Sequence, residues 1–328
     1  VLESGPAAGA IAAAFYGQLN GLDRVLSFDM GGTTAKVCFI EEGQPTTASE
    51  FEVARVHRFK AGSGLAIKLP VIQMLEIGAG GGSMAYVDRM GLLKVGPQSA
   101  GADPGPACYT RGGTDPTVTD ADLILGYLDP GYFLGGRMAL DKAAAENALG
   151  DRIARPLGME LSQAAWGIHQ VVNENMVNAA RVHAAESGKD VKSYALVAFG
   201  GAGPIHACSI AEKLGMSKVV VPLGAGVTSA VGFLAAPLVF DFVRSHMAPL
   251  AELDWARVST LLAEMEVEGT RLLRQAGVRP EDVSLARACD MRYVGQGHEI
   301  KVAVPSGRLE IAHLPAIQDA FDREYLRL

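Results

Sequence analysis

The sequence predicts an α/β fold, and three stretches carry that expectation. Arg24 to Ile40 reads RVLSFDMGGTTAKVCFI, two apolar β-rich runs around a Gly-Gly turn, the signature of a hairpin. Tyr194 to Val221 reads as strand, glycine turn, helix and strand, a βαβ unit. Two helices rich in Ala and Gly, one at the start of the chain and one after residue 226, offer surfaces that let another backbone approach closely.

Composition narrows the class. The 328 residues suffice for two domains, or for one large α/β domain with a satellite, and 49% apolar with 20% charged residues describes a globular protein. A net charge of −7 without a dense Lys/Arg cluster argues against nucleic acid as a partner. Cys38, Cys108, Cys208 and Cys289 are widely spaced with no C-x-x-C pair, which speaks against a disulfide framework or zinc ribbon and for a reducing, cytoplasmic setting. No run approaches the roughly 18 apolar residues of a membrane span, so no membrane partner is expected. The chain begins without Met, in helix-like text, and is expected to be a fragment.

Taken in order, ESGPAAGAIAAAFYGQLNG forms the first helix, with Ser4 as a candidate N-cap, Pro6 in the first turn and Gly21 past the end. The hairpin follows. Its turn, Asp29-Met30-Gly31-Gly32-Thr33-Thr34, places two glycines where successive N–H groups can point into one concavity beside two hydroxyls, an anion cradle with a carboxylate at its rim. A carboxylate beside a phosphate calls for a hard cation between them, so Asp29 is a candidate Mg²⁺ ligand; the plain alternative is a hairpin whose Asp and Thr cap its own turn.

Residues 45–64 read as polar and irregular, with Arg55, His57, Arg58 and Lys60 around Phe59 as a solvated basic patch or a substrate-phosphate contact. LPVIQMLEI, Leu69 to Ile77, reads as one strand running into the glycine run 78–83. A dinucleotide fingerprint must open a helix, whereas the text after this run alternates like two short strands joined near Met90-Gly91; a loop lining a site or a flexible connection remains. Residues 96–120 are too rich in Pro and Gly for regular structure, yet carry Asp103, Cys108, Tyr109, Asp115 and Asp120, and read as an ordered loop near a site. ADLILGYL, Ala121 to Leu128, reads as a short helix broken at Asp129-Pro130-Gly131.

Helices are expected over Lys142–Leu149 and Ser162–Ser187, the latter with Ala165, Ile168, Val172, Met176, Ala179 and Val182 on one face and Gly188 as its C-cap. His169 and His183 lie nearly four turns apart on it, too far to share a metal, and read as packing or surface histidines. In the βαβ unit, Gly200-Gly201-Ala202-Gly203 sits where nucleotides bind at a strand end, and Pro222 stands where a dinucleotide site wants an acid, so the glycines suit an adenine and ribose lying flat on backbone. His206 either faces that site or the helix surface. Gly226 to Asp241 reads as the second small-residue helix, able to cross the first closely and act as a hinge. Beyond Val243 a charged helix, Leu253 to Gln275, and strand-like ARACDMRYVGQGHEIKVAV open a further domain.

This order of small helix, D-x-G-G-T hairpin, long helix, strand-G-G-x-G-helix and small helix resembles the second half of the ribonuclease H-like superfamily that contains actin, sugar kinases and heat-shock chaperones. The longer phrases SGPAAGA, FDMGGTT, GAGGGS, SAGADPGPACY, PTVTDADLILG, VAFGGAGPIHA and DMRYVGQGHE resemble the hydantoinase A/5-oxoprolinase family, which includes the β-type subunits of acetone and acetophenone carboxylases. The resemblance implies an actin-like ATPase half over 1–246 with a β-rich insert at about 44–140, and the start of a cut-off C-terminal domain over 247–328. It implies ATP with Mg²⁺ or Mn²⁺, and hydrolysis of a cyclic amide of hydantoin or 5-oxoproline type by phosphoryl activation of the carbonyl. The alternatives are carboxylation of a ketone, a non-catalytic ATP switch, and a sugar kinase. A hydantoinase B-like subunit is the implied partner.

By the same resemblance Gly31, Gly32, Thr33 and Thr34 match the second phosphate loop and Gly200, Gly201 and Gly203 the adenosine loop, with Asp29 as metal ligand. Asp29, Thr33, Lys36 and Asp103 form the expected catalytic set. Lys36 departs from the family, many members of which place Asp there; a lysine can instead contact phosphate. The first phosphate loop, carried by the family in an N-terminal domain, is missing, so weak ATP binding and no turnover are expected of this chain alone.

Overall fold

The computed structural model describes residues 4–53 and 64–327, and the basic patch at Arg55, His57, Arg58 and Lys60 lies outside them. Two compact units form, residues 1–236 and 237–328. In the first, α1 (Ser4–Leu19) leads into the hairpin β1 (Arg24–Met30) and β2 (Ala35–Glu41), then β3 (Gln44–Pro45), β4 (Thr47–Val53), β5 (Leu65–Ile72), β6 (Leu75–Ile77), β7 (Ser83–Val87) and β8 (Leu93–Ser99). There follow α2 (Val118–Ile124), α3 (Lys142–Leu149), a π turn and the single turn α4 (Arg155–Leu157), α5 (Leu161–Glu186), β9 (Ala195–Phe199), α6 (Gly203–Leu214), β10 (Val219–Val220) and α7 (Thr228–Ala235).

One mixed sheet runs β10-β9-β1-β2-β3, with β6 also paired to β2. The hairpin is antiparallel from Arg24↔Glu41 to Met30↔Ala35. Strand β9 lies parallel to β1 from Val25↔Ala195 to Asp29↔Phe199, so the two glycine turns emerge side by side at the same end of the sheet. That juxtaposition is what the topology contributes to the site.

Side chains alternate across the sheet with period two. Leu26, Phe28, Val37, Phe39, Leu196 and Ala198 face α5 and α6 in the main core, against Ile168, Val172, Met176, Ile210 and Leu214. Val25, Cys38, Ile40, Val197 and Phe199 face the opposite way, onto Ala10, Ala13 and Ala14 of α1. Small residues make that second layer thin enough for α7 to cross α1: a Cβ on Gly232 would lie 1.7 Å from the Ala8 carbonyl oxygen.

The structure redraws several boundaries. Thr47–Val53 is a strand paired with β5 within the stretch read as irregular, and LPVIQMLEI is divided between β5 and β6, which join different sheets. Helix α2 begins at Val118, before Ala121, because Thr117 and Asp120 close a reciprocal cap at its start. Helix α7 stops at Ala235 well short of Asp241; Pro237 drives Ala236 into extended backbone with ψ 128°. On α5 the buried stripe passes from Ala179 and Ala180 to His183 and Ala184, leaving Val182 exposed, as the 3.6-residue period requires.

The second unit holds α8 (Trp255–Gln275), the antiparallel pair β11 (Ala288–Met291) and β12 (Ile300–Ala303), and α9 (Leu314–Arg327), around Leu262, Val304, Leu309 and Ile317. Among the described residues no helix is long and apolar enough to cross a membrane.

Candidate functional site

The site grows from the end of β1. Gly31 N–H donates to the Thr34 carbonyl at 3.0 Å and closes the hairpin turn. Beside it, Gly200 follows β9 with φ +85°, and a Cβ there would stand 2.4 Å from the Met30 carbonyl oxygen and 2.5 Å from Asp29 Oδ1. Both the left-handed backbone and the close approach therefore demand glycine. Ala202 N–H donates to the Met30 carbonyl at 2.9 Å, stitching the second turn to the first. The run 78–83, far from a flexible connection, is mostly buried; Gly81 and Gly82 N–H donate to the Gly31 and Gly32 carbonyls at 3.0 and 2.6 Å. Three glycine turns are thus held together through main chain.

The 96–120 loop supplies the adjoining wall and is ordered by one buried carboxylate. Asp120, 0% exposed, accepts from Ala107 N–H at 3.2 Å, Cys108 N–H at 2.8 Å, and the N–H and hydroxyl of Thr117 at 2.9 and 2.8 Å. Thr119, next in line, donates its hydroxyl to the Gly81 carbonyl at 2.8 Å. The resulting cleft, about 380 Å³, has Gly31, Gly32, Gly81, Gly201 and Ala202 along its floor, and Thr119, Asp122 and Ile205 at its side. Tyr109, Tyr127, Leu128, Asp129, Tyr132, Phe133 and Leu134 complete the lining.

Of the residues singled out in the sequence, Gly31, Gly32 and Gly201 line this one cleft, with Gly200 and Gly203 flanking Gly201 in the second turn. Thr33 is exposed at the hairpin tip. Asp29 is half-buried, and burial pushes its carboxyl above the usual range against the opposing pull of the Lys36 charge. The Lys36 ammonium lies 2.8 Å from Glu76 Oε1 and 3.3 Å from Thr34 Oγ1. The β2–β6 ladder sets Lys36 directly opposite Glu76, and neither lines the cleft. Asp103 sits in an exposed turn before Pro104 and does not line it either.

Three buried residues meet beside the cleft: Asp122, which the sequence did not mark, His169, read from the sequence as packing or surface, and His206, read as facing the site or the helix surface. Asp122 of α2, His169 of α5 and His206 of α6 are buried to 1%, 1% and 0% exposure and meet at one point. His169 Nδ1 is 2.9 Å from Asp122 Oδ1, and His206 Nε2 is 3.4 Å from Asp122 Oδ2. The two imidazoles stack with centroids 4.7 Å apart. Burial alone would raise the Asp122 carboxyl, but the hydrogen bond from the His169 imidazole opposes it, and the group is held below its ordinary value. The available signal was helical spacing: His169 and Asn173 are one turn apart on the buried face of α5, and His206 is three residues past Gly203. His183 packs as expected, stacked on Phe39 at 5.2 Å, with burial lowering its pKa.

Residues 1–242 match the family model described as hydantoinase/oxoprolinase. An uncharacterised protein of Methanocaldococcus jannaschii is 38% identical over 314 residues, covering 95% of this chain and 45% of that protein. The caprolactamase subunit alpha of Pseudomonas jessenii is 35% identical over 330 residues, covering 100% of this chain and 46% of its own length. A nucleotide-free structure of acetone carboxylase, from work on ATP-dependent acetone carboxylation, matches with a TM-score of 0.80 at 28% identity. It covers 98% of this chain and 46% of the other. The crystal structure of the ATP-dependent caprolactamase of Pseudomonas jessenii matches with a TM-score of 0.75 at 34% identity, covering 98% and 45%. The chain therefore spans about half the length of the relatives it matches.

Proposed function

The chain belongs to the hydantoinase/oxoprolinase family, and from that premise we propose that it contributes the phosphate- and purine-binding half of an ATP site in an enzyme that activates a carbonyl group. The observation that carries this reading is the single cleft onto which Gly31, Gly32, Gly201 and Ala202 open. One turn offers main-chain N–H groups to a polyphosphate, and the other offers a flat glycine surface to the nucleoside. The donor set fits: at Gly32 and Gly201 an added Cβ would meet nothing within 4 Å, so the space above each turn is open. Asp29, two residues before Gly31 and against Gly200, would hold the Mg²⁺ or Mn²⁺ that accompanies the nucleotide, and such an ion neutralises charge on the phosphates.

The substrate class we favour is a cyclic amide. Its carbonyl oxygen takes the γ-phosphoryl group while ADP leaves and the ring nitrogen gives up its proton; water then adds to the activated carbon, the ring amine departs to leave an acyl phosphate, and a second water releases phosphate and the ring-opened acid. Catalysis of this kind is mostly positioning and charge neutralisation. The name of the Pseudomonas jessenii relative, a caprolactamase, supports it. Ketone carboxylation is the second reading, supported by the acetone carboxylase match. Relatives named as subunits support assembly with a further subunit, for which we propose a hydantoinase B-like chain in the cytoplasm.

Phosphate release by the whole protein with its partner decides between them. Release dependent on lactams or hydantoins is the expected outcome; release dependent on a ketone with bicarbonate selects the second reading. ATP turnover indifferent to either, with client-dependent conformational change, defeats both.

A further inference from the structure

The buried meeting point of α2, α5 and α6 has a chemistry that the nucleotide reading does not use. His206 Nδ1 lies 2.8 Å from Asn173 Oδ1, while Asn173 Nδ2 donates to Ser209 Oγ at 3.1 Å. An amide oriented to donate to serine presents its oxygen to the imidazole, so Nδ1 of His206 carries the proton. In the neutral ring Nε2 is then a bare lone pair. It points at a carboxylate oxygen 3.4 Å away, and among the described residues it is the buried side-chain nitrogen or oxygen with no hydrogen-bond partner. A lone pair facing an anionic oxygen in a buried pocket is repulsive unless a proton or a metal cation sits between them.

The ion-pair partners of Asp122 among the described residues are the two histidines, with no lysine or arginine there. One donor atom from each of Asp122, His169 and His206 falls within 4.8 Å of the others. Nitrogen and oxygen ligands bound tetrahedrally at about 2.0–2.2 Å stand roughly 3.3 Å apart, close to the His206–Asp122 separation. The Asn173 carbonyl on the distal nitrogen of His206 is the kind of outer contact that fixes the tautomer of a metal-bound imidazole.

We infer that Asp122, His169 and His206 form a binding site for a first-row divalent transition ion, held between three helices at the side of the cleft. Two imidazoles and one carboxylate suit Zn²⁺, Mn²⁺, Fe²⁺ or Co²⁺ over Mg²⁺ or Ca²⁺, which take oxygen ligands. The site is separate from the ion proposed at Asp29. Because Asp122 lines the cleft, an ion there borders the space a substrate would enter. Three protein ligands leave a position open, as in catalytic rather than structural sites.

Chelator-stripped chain titrated with Zn²⁺, and in parallel with Co²⁺ by its visible d–d bands, tests this without nucleotide or substrate. Failure to bind ATP would therefore leave the result standing. We expect one equivalent bound tightly, affinity reduced at least about 100-fold in His169→Asn and His206→Asn, and about 10- to 100-fold in Asn173→Ala, which removes only the outer contact. Asp29→Asn should leave it unchanged. Circular dichroism establishes which variants fold, and Asn173→Ala keeps the test decisive if the histidine variants do not. No stoichiometric binding by the wild-type chain, equal affinity in folded variants, or loss in Asp29→Asn would each overturn the assignment.

Discussion

Single residues carry two constraints that experiment can read directly. Gly200 combines a left-handed backbone with carbonyl and carboxylate oxygens where a methyl group would go. Gly200→Ala is expected to destabilise the chain by at least about 2 kcal/mol in chemical denaturation, the sum of a strained φ and overpacking. Glu41, at the far end of β2, receives Lys189 Nζ at 2.7 Å and the Tyr194 hydroxyl. The Lys189 hydrogen bond, then that from Tyr194, holds its carboxyl below the ordinary value of 4.5. A lowered folded-state pKa means that this stabilisation is complete above the unfolded value and fades as pH falls through the folded one. Glu41→Gln should therefore cost stability at neutral pH and progressively less toward pH 3, with the wild-type and variant midpoints converging. Equal gaps at both ends would show that the pair contributes no pH-linked stability.

At the level of whole elements, the crossing of α1 and α7 rests on absent side chains. Ala8 backbone occupies the place a Gly232 Cβ would need, and the side chain of Phe199 packs against Gly9. Gly232→Val should force the two helices apart, lowering thermal stability by several degrees, with the greatest rise in hydrogen exchange in α1 and α7; exchange confined to α7 would contradict the shared crossing. The Ala/Gly text announced this contact plainly, because small residues have few other uses on a helix face. The 96–120 loop was harder. Its order comes from Asp120 gathering donors from both of its arms, and a residue that satisfies distant N–H groups leaves no periodic trace.

For the molecule as a whole, residues 237–249, which open the second compact unit, have no helix or strand and are mostly exposed, Leu238, Val243 and Met247 among them. Limited proteolysis is expected to cut there first and release two products, and first cleavage within α5 or α6 would refute that. The hairpin, the βαβ unit and the two glycine turns were legible because each is written in adjacent residues. The Asp122, His169 and His206 meeting was not, since three helices far apart in the chain each contribute one side chain, and each alone reads as ordinary packing. Boundaries slipped where a neighbour decided them, as at β6, whose Leu75, Glu76 and Ile77 pair with Val37, Lys36 and Ala35 of β2. The floor of the cleft is joined amide to carbonyl, so its shape owes little to the identity of the groups above it. Tyr127, Tyr132 and Phe133 can thus be varied to reshape the cleft while the glycine turns beneath stay joined.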